Sequence, residues 1–224
     1  MLAKQSLSSS LVRWTGKNSD RYTAVLASDG ELFIGLADAS LVEQMRWSDI
    51  EQRLPDWQPE ALVVDANLSQ TCLSETVNTL SSRYESHVPI YALAVSPAKS
   101  VRLLTVADKI SVLLCNRLEA AALTGLEWQS DINTLADDLL EKQFSSFVIT
   151  DGSESILVQD QQARSSVPVP EIHINNNVIG AGDAMAAATI VQLINGQRLS
   201  QAISAAGLEA ARAVLVGGSE SPSI

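Results

Sequence analysis

The stretch GAGDAMAAATIVQLI, residues 180–194, places three small residues directly before an acidic residue and an apolar run. A turn without bulky side chains lets backbone N–H groups approach an anion closely. If a helix starts at about Gly182, its free N–H groups and its dipole favour a phosphate at that end. Asp183 would lie beside such a phosphate and could accept the proton of an attacking hydroxyl. The alternative is a turn in which Asp183 is an ordinary acid at a helix terminus.

Short apolar segments alternate with polar, periodic segments through most of the chain. Strands are predicted over 61–65, 88–95 and 111–115, and on both sides of the turn 151–154. Helices are predicted over about 71–86 and over 131–142. A helix is also expected to open at Pro97 and to run to about Leu104, and another is expected to end at Gly125. This alternation predicts an α/β fold with a mainly parallel sheet, in one domain that spans residues 1–224.

A separate hairpin is predicted ahead of the sheet. Two strand-like runs in YTAVLASDGELFIGLA are joined by Asp29 and Gly30, which is a strong hairpin signal. The hairpin, residues 20–38, is expected to be an antiparallel appendage. Its exposed edge favours pairing with a second subunit, so we expect a homodimer through it.

The bulk composition narrows the class of protein. Hydrophobic residues make up 46% and charged residues 18% of the 224 residues, which is typical of a globular protein, and the formal charge is −11. An acidic surface disfavours nucleic-acid binding. No apolar run is expected to span a membrane. Cys72 and Cys115 have no paired spacing and indicate reduced, buried thiols, so a cytoplasmic location is expected.

Two common nucleotide motifs are absent. There is no P-loop, and the dinucleotide fingerprint fails because Met185 occupies the position of its last glycine. A dinucleotide oxidoreductase is therefore a poor alternative.

The stretch around residue 180 resembles the D-T-x-G-A-G-D signature of the ribokinase-like PfkB carbohydrate kinases. That resemblance implies a three-layer α/β/α fold with a lid formed by the hairpin. It implies that Asp183 is the catalytic base, and that the backbone of Gly180, Ala181 and Gly182 forms an anion hole for the transferred phosphate. ATP and Mg²⁺ are the implied cofactors, and a sugar or nucleoside is the implied substrate.

Further motifs follow the same family in the same order. NRLEAAALTG resembles an N-x-x-E element, which implies that Asn116 and Glu119 help to hold Mg²⁺ through water. A capped helix start at Asn116 is the alternative. VITDGSES resembles a T-x-G-x-x-G turn near the nucleotide, with Thr150 and Gly152 in place, and AAGLEAARAVL resembles the helix beside the adenine, around Ala206 and Gly207.

Several features depart from the family pattern. The glycine pair with a sugar-binding Asp, and the G-G-x-x-x-N helix of the family's N-terminal segment, are not found, so we expect an N-terminally shortened form. Asn177 replaces an Asp that helps to bind a monovalent cation, which weakens the expectation of such a cation. Val178 replaces a Thr, and Ser155 replaces the second glycine of the nucleotide turn.

Within the family, the segments TAVLASDGELFIGLADAS, VVDANLS and VSPAK most resemble pseudouridine kinases. The expected function is therefore ATP-dependent phosphorylation of a sugar or nucleoside hydroxyl, as in a pseudouridine kinase. The alternative is a degenerate nucleotide-binding remnant that has lost the sugar-binding segment.

Overall fold

The computed structural model describes residues 18–26, 32–52, 54, 59–84, 88–171 and 179–217. Eight strands occur in this part of the chain: β1 (Arg21–Leu26), β2 (Leu32–Asp38), β3 (Leu62–Asp65), β4 (Ile90–Leu93), β5 (Val112–Asn116), β6 (Phe147–Thr150), β7 (Ile156–Gln159) and β8 (Arg164–Val167). Its α-helices are α1 (Ser40–Glu43), α2 (Trp47–Glu51), α3 (Gln70–Arg83), α4 (Pro97–Ser100), α5 (Arg117–Thr124), α6 (Ile132–Glu141), α7 (Ala181–Ile194), α8 (Leu199–Ala202) and α9 (Leu208–Gly217). A 3₁₀ segment, Val101–Lys109, follows α4, and a π-helical turn, Ile203–Gly207, joins α8 to α9.

The main sheet has six strands in the order β3-β4-β5-β6-β7-β8. The first four run parallel, and β7 and β8 return antiparallel at the far edge. Helices connect the successive parallel strands, as a parallel sheet requires. The predicted mainly parallel sheet is confirmed.

Both faces of the sheet are covered, which makes three layers. On one face, buried side chains of α3, the 3₁₀ segment, α5 and α6 pack against Leu113 and Phe147. On the other face, α7, α8 and the π-helical turn pack against Leu114 and Val148. Because both faces are buried, β5 reads VLLCN, a continuous apolar run without alternation.

The strands β1 and β2 form a separate two-stranded sheet. They pair antiparallel from Arg21 opposite Asp38 to Val25 opposite Ile34, so the predicted pairing is confirmed. The predicted turn residues Asp29 and Gly30 lie outside the described residues. The role of this hairpin as a lid or a dimer contact remains a prediction.

Two expectations need correction. The helix predicted to open at Pro97 is a single α-turn that continues as the 3₁₀ segment, with a kink at Val106 where φ is −138°. The continuous helical stretch Leu199–Val216 is long and apolar enough to cross a membrane by length and composition, with a mean hydropathy of 1.2, contrary to the expectation that no run would be. Within this stretch, Leu199 and Ile203 are buried in the cluster that includes α7.

Candidate active site

The carboxyl ends of β5 and β6 place two of the predicted site residues side by side. Asn116 and Thr150 are register partners in the last position of the parallel ladder. The Thr150 hydroxyl donates a long hydrogen bond of 3.5 Å to the Cys115 carbonyl. Gly152 follows with a φ of 60°, which side chains rarely adopt, and a Cβ there would meet no atom within 4 Å. Ligands of open α/β sheets bind beyond such strand ends.

Asn116 and Glu119 form a reciprocal capping box at the start of α5. The Glu119 N–H donates to Asn116 Oδ1, and the Asn116 N–H donates to Glu119 Oε2, both at 2.9 Å. The structural alternative raised from the sequence is therefore correct as geometry. The box uses one oxygen of each side chain; among the described residues, nothing hydrogen-bonds to Glu119 Oε1 or to the Asn116 amide nitrogen. Those atoms suit a hydrated Mg²⁺ and a phosphate oxygen.

Glu119 is buried, with 7% of its surface exposed. Burial raises the pKa of its carboxyl, the hydrogen bond from the Asn116 backbone lowers it, and the charge of Asp183 raises it further. The fold therefore places the start of α7 within electrostatic reach of Glu119. Negative charge from two carboxylates favours a nearby cation.

Gly180 and Asp183 define the start of α7. Gly180 is the N-cap residue with a φ of 86°, and its carbonyl accepts the N–H of Ala184 at 2.9 Å. Asp183 is exposed in the first helical turn. In the part of the chain that the structure describes, the N–H groups of Ala181, Gly182 and Asp183 have no acceptor. Among the described residues, a Cβ on Gly182 would meet nothing within 4 Å, so none of them requires a glycine at this position. Unpaired N–H groups next to open space suit the binding of an anion.

Asn177 and Val178, which the sequence analysis compared with the family pattern, lie outside the described residues.

The other predicted pair, Ala206 and Gly207, lies in the π-helical turn before α9. Gly207 is buried, and a Cβ on it would come within 2.5 Å of Thr189 Oγ1 and 3.2 Å of Met185 Cγ on α7. Close packing of two helices thus explains this glycine. Ala206 is half-buried. The contact of Ala206 and Gly207 with a nucleotide remains a prediction. Thr189, which sequence reasoning missed, is the residue whose side chain leaves no room for a Cβ at position 207.

Two basic side chains, Lys99 and Arg102, bond to the segment after β3. Its ammonium donates to Asn67 Oδ1 at 2.8 Å. Arg102, which the sequence did not single out, donates to the carbonyls of Ala66 and Leu68 and to Glu43. Together these cations hold the loop after β3.

No group of three or more His, Cys, Asp and Glu side chains that could hold a metal occurs within the described ranges. The contact of Glu119 and Asn116 with Mg²⁺ through water remains a prediction. The two cysteines, Cys72 and Cys115, are buried and unpaired as predicted, and burial raises the pKa of both thiols.

The chain is similar in sequence to known carbohydrate kinases. A family model described as pfkB family carbohydrate kinase matches residues 1–224. The chain is 25% identical over 191 residues to the pseudouridine kinase of Escherichia coli (strain K12), covering 84% of this chain and 59% of that protein.

Two solved structures show the same fold. A carbohydrate kinase from Agrobacterium tumefaciens is 28% identical with a TM-score of 0.70, over 92% of this chain and 65% of its own. Ribokinase from Thermotoga maritima is 16% identical with a TM-score of 0.66, over 88% and 63% of the two chains, a similarity of fold. The chain therefore spans between 59% and 65% of the length of these relatives. Its fold is ribokinase-like, and the chain belongs to the pfkB family of carbohydrate kinases.

Proposed function

We propose that this protein transfers the γ-phosphate of ATP to a hydroxyl of a sugar or nucleoside, and that pseudouridine is the first acceptor to test. The observation that carries the proposal is the start of α7. Open N–H groups and the exposed carboxylate of Asp183 share one helical turn there, and that carboxylate is electrostatically coupled to Glu119. The 25% identity with a pseudouridine kinase supports this choice of acceptor.

Asp183 would act as the general base. The acceptor oxygen forms a bond to the γ-phosphorus while the bond to the β–γ bridging oxygen breaks, and the proton of the acceptor hydroxyl passes to the Asp183 carboxylate. ADP leaves with the bridging oxygen. The N–H groups at Gly180, Ala181 and Gly182 would stabilise the charge that develops on the transferred phosphoryl group.

Glu119 and Asn116 would hold Mg²⁺ through water, using Glu119 Oε1 and the second lone pair of Asn116 Oδ1, while the open Asn116 amide nitrogen would donate to a phosphate oxygen. When bound, Mg²⁺ neutralises charge on the phosphates and orients them. Thr150, Gly152, Ala206 and Gly207 would contact the nucleotide. With asparagine at position 177, we expect little activation by a monovalent cation.

A second candidate is a nucleotide-binding protein without transferase activity. Two sequence departures favour it: Ser155 replaces a glycine of the nucleotide turn, and Asn177 replaces an acid. Such a protein would bind ATP but turn over no acceptor.

The deciding experiment measures ADP formation from MgATP with pseudouridine, other nucleosides, ribose and fructose 6-phosphate. Asp183→Asn should lower kcat by about 10²- to 10⁴-fold and leave ATP affinity within a few-fold, because it removes the base alone. Asp108→Asn, an exposed carboxylate on the 3₁₀ segment, is the matched control and should behave as wild type. ATP binding without acceptor-dependent turnover in the wild type would favour the second candidate.

We also propose that the protein works in the cytoplasm, as a homodimer that pairs through the hairpin 20–38. The supporting observation is one face of that hairpin, which exposes Val25, Ile34 and Leu36 together. Apolar side chains grouped on one exposed face are typical of a contact surface.

A further inference from the structure

Arg117, the first residue of α5, forms a protein contact from each of its three guanidinium nitrogens. Nη1 donates to Asp151 Oδ2 at 2.5 Å, Nε donates to the Trp128 carbonyl at 2.9 Å, and Nη2 donates to the Ser130 carbonyl at 2.8 Å. The Arg117 and Asp151 side chains are 24% and 25% exposed, so the ion pair is only partly screened by water. Nothing in the family motifs singled out this residue.

The position of this ion pair in the sheet gives it a specific consequence. The backbone ladder between β5 and β6 ends with Asn116 opposite Thr150. The residues that follow these two are Arg117, which begins α5, and Asp151, which begins the turn after β6, and the backbone pairing stops there. The Arg117–Asp151 ion pair therefore extends the connection between the two strands by one register position.

The two sides joined by this pair carry different parts of the proposed site. Arg117 lies between Asn116 and Glu119, which form the capping box. Asp151 lies between Thr150 and Gly152, whose φ of 60° turns the chain away from the sheet. The two carbonyl contacts fix the guanidinium plane, a geometry that the single ammonium of lysine cannot reproduce.

We propose that Arg117 is a positioning residue that sets the affinity for ATP. By holding Asp151, it keeps the turn at Gly152 at a fixed distance from Asn116 and Glu119, so that nucleotide and metal-bound phosphates are held in one arrangement. This proposal rests on the proposed function, because it assigns ATP to that turn.

The test compares Arg117→Gln with Arg198→Gln in the full chain. Arg198 serves as the control because it also forms side-chain contacts, bonding Gln162 at 2.6 Å and lying 3.9 Å from Asp160, and it precedes α8 instead of α5. Titration with a fluorescent ATP analogue should show about tenfold weaker binding for Arg117→Gln, the factor that one lost charge-assisted hydrogen bond supports. Binding by Arg198→Gln should match wild type. Turnover at saturating ATP, where acceptor turnover is found, should change by less than about twofold.

Hydrogen exchange provides a reading that does not depend on the ligand. Amides of residues 152–155 should exchange about tenfold faster in Arg117→Gln than in wild type, whereas amides of β4 should not change. Arg117→Lys keeps the charge and serves if the glutamine variant does not fold; it should rescue affinity only in part.

The outcomes separate the two ideas. Equal nucleotide affinity in wild type and Arg117→Gln would overturn the positioning role and leave the proposed function standing. A folded wild type that binds no nucleotide would overturn the proposed function, and the role of Arg117 in ATP affinity with it.

Discussion

Replacing Gly207 by alanine is expected to destabilise the fold, because the glycine lies against α7. The added Cβ would come within 2.5 Å of Thr189 Oγ1 and 3.2 Å of Met185 Cγ. The methionine side chain is flexible and can move aside. Thr189 is fully buried and branched at Cβ, so it has less freedom to yield.

The expected loss can be worked from two opposing terms. Overpacking a tight contact costs about 1–3 kcal/mol. Replacing a helical glycine by alanine returns about 0.5–1 kcal/mol, since the unfolded chain loses freedom. The net expectation is a loss of up to about 2.5 kcal/mol, centred near about 1 kcal/mol, which corresponds to about 2–4 °C in Tm for a chain of this size.

Urea unfolding followed by far-ultraviolet circular dichroism measures the effect. Thr189→Ala removes the overlapping atom, which is also a buried hydroxyl with no hydrogen-bond partner among the described residues. The double variant Gly207→Ala/Thr189→Ala should therefore regain most of the stability, with a coupling of about 1 kcal/mol or more between the two sites. Ser204→Ala, an exposed position in the same π-helical turn, should unfold as wild type.

The packing explanation makes a prediction that a nucleotide role for Gly207 does not. An alanine variant with unchanged stability but weakened ATP binding would refute it, and would return this glycine to the nucleotide site. Loss of stability restored by Thr189→Ala would instead identify helix packing as the reason for the glycine.

Three further predictions follow from the site and the hairpin. Gly180→Ala should lower the free energy of unfolding by about 1–2 kcal/mol, because the φ of 86° at this position is strained for any residue with a side chain. Gly182→Ala should fold as stably as wild type but lose phosphoryl transfer, because its methyl group would fill the space proposed for the anion. Urea unfolding and ADP formation measure the two effects. The raised pKa of Glu119 means that the folded state binds this proton more tightly than the unfolded state does. Glu119 therefore contributes stability at low pH, and this contribution is lost as the pH rises from 4.5 through the raised pKa. Glu119→Gln can keep the capping box but cannot titrate, so its free energy of unfolding should depend less on pH in this range than that of wild type. Ile34→Lys with Leu36→Lys should convert the proposed dimer to a monomer in sedimentation analysis, and an unchanged mass would contradict the hairpin contact.

Local signals in the sequence predicted much of the secondary structure. Asn116 and Glu119, three residues apart before an apolar run, form the capping box that such spacing favours, and Gly125 ends α5 with a φ of 79°. The 3₁₀ segment after Pro97 was missed, because its choice over an α-helix depends on packing against α3 and not on a local signal.

Local signals in the sequence predicted only part of the candidate site. The small residues before Asp183 predicted the start of a helix and its open N–H groups. Nothing in the order of residues showed that Arg117 would bond Asp151, or that Gly207 would meet Thr189. The ion pair depends on β5 and β6 being neighbours, and the glycine contact depends on α7 and α9 sharing one face of the sheet.

The sequence by itself determined the alternation of strands and helices, the caps of α5 and the glycine turn at α7, because each of these depends on residues within one or two turns of chain. Only the tertiary structure decided that the charge of Asp183 would raise the pKa of Glu119. The physical reason is range: turn and capping chemistry acts between near neighbours in the chain. Packing and electrostatic coupling act between whichever groups the strand order and the helix layers bring close.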